Sequence, residues 1–232
     1  MGSGPEQKIL LAHSPNSEFP TPNIVHTTVL LSEAVELLAP RPGGVYVDGT
    51  LGGGGHAAEL LRRSAPDGMV IGLDQDAEAL ERARETLAPF GSRARLCLKN
   101  FRELPAVLDE LGCARVDGIL LDLGLSWFHL RNPERGFSFM LDGPLDMRMD
   151  MSALQTAAGL VNTLPFAELA RIIREYGEED RAGAIARAIE RARDRGPISS
   201  TAQLARASSR ACFPRILRDA FTLPQKRSRR SG

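Results

Sequence analysis

Val45-Tyr-Val-Asp48-Gly-Thr50-Leu-Gly52-Gly53-Gly54-Gly55-His56 is the stretch on which the rest of the chain is organised. Val45 to Val47 is a short β-branched and aromatic run of the kind that forms a buried strand. It passes through four consecutive glycines into Ala57-Ala-Glu-Leu-Leu-Arg-Arg63, which reads as the first turns of a helix. A strand, a glycine turn and a helix start make the layout of a nucleotide-type cofactor site: glycine lets a ligand approach the backbone, and the helix start offers N–H donors. Gly52-x-Gly54-x-x-Ala57 also fits a dinucleotide pattern, with the acidic Asp74 at about the expected 20-residue spacing. An NAD-dependent oxidoreductase is therefore one reading of this stretch taken alone.

Working outward, residues 1–25 are polar, contain Pro5, Pro15, Pro20 and Pro22, and read as a flexible tail. Leu30, Ala34, Leu37 and Leu38 predict an amphipathic helix that stops before Pro40. Downstream of the glycines, Met69 to Asp74 reads as a second strand and Asp76 to Ala88 as a helix with Leu80, Ala83 and Leu87 on one face. Arg95 to Leu98 is a third strand, Leu104 to Leu111 a helix, and Val116 to Asp122 a fourth strand. Strands alternating with helices predict a doubly wound, mostly parallel α/β sheet, whose ligand lies at the carboxyl ends of the strands. Asp48, Asp74, Phe101 and Asp122 each stand at or just past such an end.

After Asp122 the alternation stops. Leu123 to Met151 is rich in Gly, Pro, Asp and Arg, and three helices are expected beyond it. Phe166, Leu169, Ala170 and Ile173 share one face, and Ala182, Ile185, Ile189 and Ala192 another; Ser200-x-x-Gln203 is a capping box for the third. Their arginines could meet an RNA backbone, but interspersed Glu and Asp favour a mixed, solvated surface.

The bulk numbers restrict the rest. With 29 basic and 29 acidic residues the 232-residue chain has no net bias toward polyanions, and 43% hydrophobic content suffices for a core. Cys97, Cys113 and Cys212 form no C-x-x-C pair, which points to a reducing compartment and no metal site. No apolar run approaches the ~20 residues of a membrane span, and no secretory pattern opens the chain. Cytoplasmic residence, without a membrane partner, is the expectation.

Two further stretches are specific. Asp117-Gly-Ile-Leu-Leu-Asp122-Leu-Gly124-Leu-Ser126 is one; Glu134-Arg135-Gly136-Phe137-Ser138-Phe139-Met-Leu-Asp142-Gly143-Pro144-Leu145-Asp146-Met147-Arg148-Met149-Asp150 is the other. Together with His26-Thr-Thr-Val-Leu-Leu31, the stretch from Asp48 to His56, and Arg174-Glu-Tyr-Gly-Glu-Glu179, they resemble the bacterial small-subunit ribosomal RNA cytosine-N4 methyltransferases (RsmH, also called MraW). The resemblance runs from about His26 to Ala207. It implies a Rossmann-like class I sheet binding S-adenosyl-L-methionine, with a cytidine of 16S rRNA in the decoding region as acceptor. The partner would be that rRNA or the small ribosomal subunit; homodimerisation is left open. Carried over by position, the cofactor residues would be Gly54, Gly55, His56, Asp74, Phe101 and Asp122. Asp122 is also the candidate for accepting a hydrogen bond from the attacking amine, and no other catalytic residue is assigned. Arg135, Asp146 and Arg148 are candidates for shaping the acceptor pocket or gripping RNA phosphate, against the alternative of a salt-bridged structural loop.

The chain departs from the family in three places. Trp127-Phe128-His129 stands where the family has Ser-Pro-Gln, leaving His129 as the stand-in for a cofactor-contacting glutamine. Gln75 replaces a favoured arginine. Beyond about Ser209 the sequence no longer matches, and a truncated or frameshifted gene is the expectation, with a sheet incomplete at its C-terminal side. The expected divisions are a tail at 1–25, a cofactor domain at 26–125, a loop and helical substrate-recognition subdomain at 126–209 and a divergent basic tail at 210–232. A remnant that binds cofactor or RNA without turnover is the competing functional reading.

Overall fold

The computed structural model describes residues 30–212. The expected tail at 1–25, the start of the His26 motif and the part of the expected 210–232 tail beyond Cys212 lie outside the described residues; 210–212 end a helix. Four parallel strands form one sheet in the order β3-β2-β1-β4: β1 (Val45–Asp48), β2 (Met69–Asp74), β3 (Ala94–Leu98) and β4 (Gly118–Leu120). Tyr46 sits opposite Val70 on one side and Gly118 on the other. The chain therefore winds outward from β1 through β2 to β3, then returns to lay β4 on the opposite flank of β1. That reversal makes β1 and β4 a topological switch point, where connections leave in opposite directions and open a crevice beyond the strand ends. The Rossmann-like α/β expectation holds.

Strand alternation distributes the core between two faces. Tyr46 and Val70 pack with Val35 of α1 (Leu31–Leu38), Ala57 and Leu60 of α2 (Gly55–Arg63) and Leu80, Ala83 and Leu87 of α3 (Ala77–Leu87). Val47, Ile71 and Leu73 face the other way, against Val107 and its neighbours on α4 (Leu104–Glu110). The predicted face of α3 is the buried one. That of α1 is buried only in part: Leu38 meets the core and Ala34 is half-buried, but Leu37 is 88% exposed and Leu30 also faces outward, while Leu31 and Val35 meet the core instead. In a helix this rich in leucine two overlapping stripes fit the same period, and the sheet selects the one that contains the β-branched Val35.

β4 is shorter than expected. Of Val116 to Asp122 only three residues pair, because the neighbouring β1 has four residues and nothing among the described residues pairs on β4's other edge. Ile119, Leu121, Leu123 and Leu125 are consequently exposed.

The region past Asp122 holds more helix than its composition suggests. α5 (Trp127–Arg131) interrupts the expected loop, and α6 (Ala157–Thr163) precedes the three predicted helices, α7 (Phe166–Glu175), α8 (Ala182–Arg193) and α9 (Thr201–Cys212). α6 was hidden by its length and by Gly159; Thr156 caps it by accepting from the Gly159 amide. The predicted faces of α7 and α8 enclose a separate core with Leu145, Val161 and Ile198. The Ser200–Gln203 box forms reciprocally, the Gln203 amide donating to Ser200 Oγ and the Ser200 amide to Gln203 Oε1.

Two adjacent glycines at the head of α2 differ in what they do. Gly54 has φ 82°, and a Cβ there would lie 3.3 Å from Leu87 of α3. Its role is backbone conformation and helix packing. Gly53 has no left-handed φ, and a Cβ on it would meet nothing within 4 Å. Gly54→Ala is therefore expected to cost about 1–2 kcal/mol, whereas Gly53→Ala should leave urea-unfolding stability within about 0.5 kcal/mol of the parent; equal losses at both positions would contradict the distinction.

Candidate functional site

The glycine turn is latched to the neighbouring strand ends by backbone amides. Gly52 N–H donates to Asp74 Oδ2 at 2.8 Å, and the Asp76 amide donates to Asp74 Oδ1 at 2.9 Å. Thr50 joins the ends of β1 and β4: its amide donates to Asp48 Oδ1 at 3.2 Å, while its Oγ1 accepts from the Asp122 amide at 2.7 Å. Phe101 lies half-buried just past β3, with its Cβ close to Gly49. His56 is buried in the first turn of α2, whose N-cap residue is Gly54. Gly54, Gly55, His56, Asp74, Phe101 and Asp122 thus gather at the carboxyl ends of one sheet, around the crevice.

Electrostatics single out a residue that pattern reading placed at a strand end but gave no role. Asp48 is 1% exposed, and its Oδ2 has no hydrogen-bond partner. Burial pushes its carboxyl up to about 7; the Thr50 amide opposes the shift, the charges of Asp74 and Asp122 add to it, and the Ala57 amide opposes it. An orphaned buried carboxylate oxygen is costly unless something cationic or hydrogen-bonding reaches it.

The four candidates from the middle of the chain are engaged with other groups of the protein. His129, expected at the cofactor, is buried in α5. Its Nε2 donates to Asp76 Oδ2 at 2.7 Å, a direction fixed because a carboxylate only accepts, and its Nδ1 accepts from the Ser126 amide at 3.3 Å. Both ring nitrogens are engaged within the protein. Arg135, expected at substrate, is 3% exposed: its Nη1 reaches both Asp76 oxygens at 3.3 and 3.2 Å, and its Nη2 donates to the carbonyls of Arg148 and Met149. Asp146 and Arg148 pair with each other through two hydrogen bonds of 2.8 and 2.7 Å, and Arg148 also donates to the carbonyls of Met151 and Ala153. Of the two readings of the Asp146-x-Arg148-x-Asp150 cluster, this geometry is that of the salt-bridged loop. The bulky Trp127 and Phe128 are held by arginines, Arg131 lying 4.3 Å from the Trp127 ring centre and Arg82 4.5 Å from that of Phe128.

Asp76, which the sequence marks only as the start of a helix, collects these contacts. It caps α3 by accepting from the Glu78 amide, and is 2% exposed. Burial opposes its ionisation, but the His129 hydrogen bond and the Arg135 charge outweigh it and hold the carboxyl below the usual range.

A glycine turn latched to a carboxylate at the switch point of a doubly wound sheet defines a Rossmann-like α/β protein. A family model described as the MraW methylase family matches residues 23–227, and the chain belongs to that family. It is 55% identical over 179 residues to the ribosomal RNA small subunit methyltransferase H of Geotalea uraniireducens, covering 77% of this chain and 57% of that protein. The Geobacter sulfurreducens protein of the same name is 58% identical over 179 residues, 77% of this chain and 58% of that one. The chain spans a little over half the length of these curated relatives. The family match leaves nothing in support of the oxidoreductase reading. Among solved structures, an rRNA methylase from Streptococcus thermophilus aligns with TM-score 0.29 and 23% identity over 32% of this chain and 45% of that one, a likeness that carries no argument. Among the described residues no helix is long and apolar enough to cross a membrane.

The two buried carboxyls carry opposite pH signatures. Asp48, raised when folded, contributes stability that is complete below about pH 4 and lost as pH rises through about 7. Asp76, depressed when folded, contributes stability present above the ordinary carboxylate range and lost as acid protonates it. Asp48→Asn should therefore be more stable than the parent at pH 8, by an amount on the order of 4 kcal/mol, with the advantage vanishing toward pH 4. Asp76→Ala should lose about 3–5 kcal/mol near neutrality because Arg135 is left buried and unpaired. Urea unfolding across pH checks both; a pH-independent Asp48→Asn difference would contradict the first.

Proposed function

We propose that the chain is an S-adenosyl-L-methionine-dependent methyltransferase that modifies N4 of a cytidine in 16S rRNA of the small ribosomal subunit, in its decoding region. The observation that carries the reading is the gathering of the glycine turn, Asp48, Asp74, Phe101 and Asp122 at one crevice in a chain of the MraW methylase family. The residues present fit the cofactor. Each oxygen of Asp74 accepts one backbone N–H and keeps a lone pair for a ribose hydroxyl. Phe101 offers an apolar face for adenine. Gly53 leaves open space where a side chain would intrude. The orphaned oxygen of Asp48 and the carboxylate of Asp122 supply negative charge for a cation.

The bound cofactor would supply a methyl group already activated on a sulfonium. The protein's task is then positioning, holding the acceptor amine in line while excluding water. Asp122, exposed just past β4 with its backbone fixed by Thr50, accepts a hydrogen bond from the amine as its lone pair leaves conjugation with the ring. The acceptor base would leave its stack to reach the crevice. Residues 26–125 would be the cofactor half and 126–209 the substrate-recognition half. His129, Arg135, Asp146 and Arg148 would act by fixing the loop between the halves rather than by touching ligand. The compartment that fits this substrate is the cytoplasm.

Isothermal titration with S-adenosyl-L-methionine, paired with methyl transfer to unmethylated small subunits, tests the reading. Binding with transfer supports it in full. Binding without transfer supports only the cofactor site and favours the non-catalytic alternative. No binding by a chain shown to be folded would overturn it. Gly53→Ala is expected to weaken binding at least tenfold at unchanged stability, and Asp122→Asn to lower kcat and also to weaken cofactor binding by removing a charge that faces the sulfonium. Near-normal turnover by Asp122→Asn would remove its assigned role.

A further inference from the structure

We propose that Asp48 makes the site charge-selective: its buried carboxyl gives up a proton to solvent when the sulfonium cofactor binds, so the cation is held in preference to its neutral thioether product. The inference rests on the cofactor reading above and deepens it. Three carboxylates converge here from three strand ends, Asp48 at β1, Asp74 at β2 and Asp122 beyond β4. Asp74 accepts two backbone amides at normal distances, and Asp122 reaches solvent. Asp48 is out of water: its Oδ1 accepts a 3.2 Å bond from Thr50, the Ala57 amide also favours its charge, and its buried Oδ2 has no hydrogen-bond partner. The groups acting on it are the low polarity of its surroundings first, then the Thr50 amide, the like charges of Asp74 and Asp122, and the Ala57 amide. His56 is buried nearby on the first turn of α2.

Without a ligand this arrangement favours the protonated acid below neutrality, because ionisation would charge a carboxyl that is out of water and flanked by Asp74 and Asp122. S-adenosyl-L-methionine carries one net positive charge, and its demethylated product carries none. Cation binding supplies the missing countercharge and lowers the cost of ionising Asp48, so proton release and binding are linked. The neutral product provides no such compensation. Selectivity for cofactor over product would then rise with pH and level off once Asp48 ionises unaided, which favours product departure after each transfer.

The test is calorimetric. Titrate the full chain with S-adenosyl-L-methionine and with S-adenosyl-L-homocysteine at about pH 6, each in two buffers of different ionisation enthalpy, and repeat across pH. The sulfonium ligand should release close to one proton per site, with affinity falling roughly tenfold per pH unit below neutrality. The thioether should release almost none and change less than about threefold. Asp48→Asn should keep its affinity for the thioether, which also shows that it folds, and should lose both the proton release and the preference for the cation. This variant also controls for protons on the ligands' own amino groups. Binding of the sulfonium by the parent chain without proton release, or equal release by parent and Asp48→Asn, would overturn this inference and leave the cofactor reading standing. Absence of binding at every pH by the folded chain would overturn the cofactor reading itself.

Discussion

The buried carboxylate of Asp76 is the interaction on which the arrangement of this chain depends. It is taken out of water at the head of α3 and given a helix amide, an imidazole and a guanidinium in return. A charge in that position is tolerable only if every partner is present. The requirement ties together segments that the sheet alone would leave independent: α3, the short helix bearing His129, and the loop bearing Arg135, whose other nitrogen holds the carbonyls of Arg148 and Met149. Because the amide of Asp76 also donates to Asp74, the same residue links this cluster to the carboxylate that latches the glycine turn.

Around that anchor the crevice is assembled by backbone groups more than by side chains. Gly52 and Asp76 amides fix Asp74, and the Thr50 amide and hydroxyl hold the ends of β1 and β4 in relation to each other. These are short-range bonds between elements whose positions are set by the sheet, so little conformational freedom remains to be lost when a ligand arrives. The exception is Asp48, where the fold leaves an acidic oxygen without any partner. In a structure that otherwise satisfies its polar groups at the strand ends, such an omission points to something supplied from outside the chain.

Much of this was legible in one dimension. Apolar runs at Val45, Met69 and Arg95 marked strands, and Asp48 and Asp74 marked the ends of the first two, because the side-chain period and the position of a strand end are local properties. The face of α3 and the Ser200–Gln203 box were readable for the same reason. What escaped depends on distant partners. Leu37 and Val35 are both apolar, and only the sheet decides which is buried. β4 is cut short by the length of β1, not by its own composition. His129 and Arg135 look like polar residues available to ligands, yet their partner Asp76 lies 53 and 59 residues away in sequence. A buried ion pair and a solvent-facing one have the same letters.

The most direct measurement is a two-dimensional amide NMR titration of the isotope-labelled chain with S-adenosyl-L-methionine. Perturbations should concentrate at residues 52–57, 74–76, 99–101 and 122–124, the amides around the crevice, and leave α7, α8 and α9 nearly unmoved. Saturable shifts centred on those helices, or on the exposed edge of β4, with the glycine turn silent, would contradict the placement of the cofactor site.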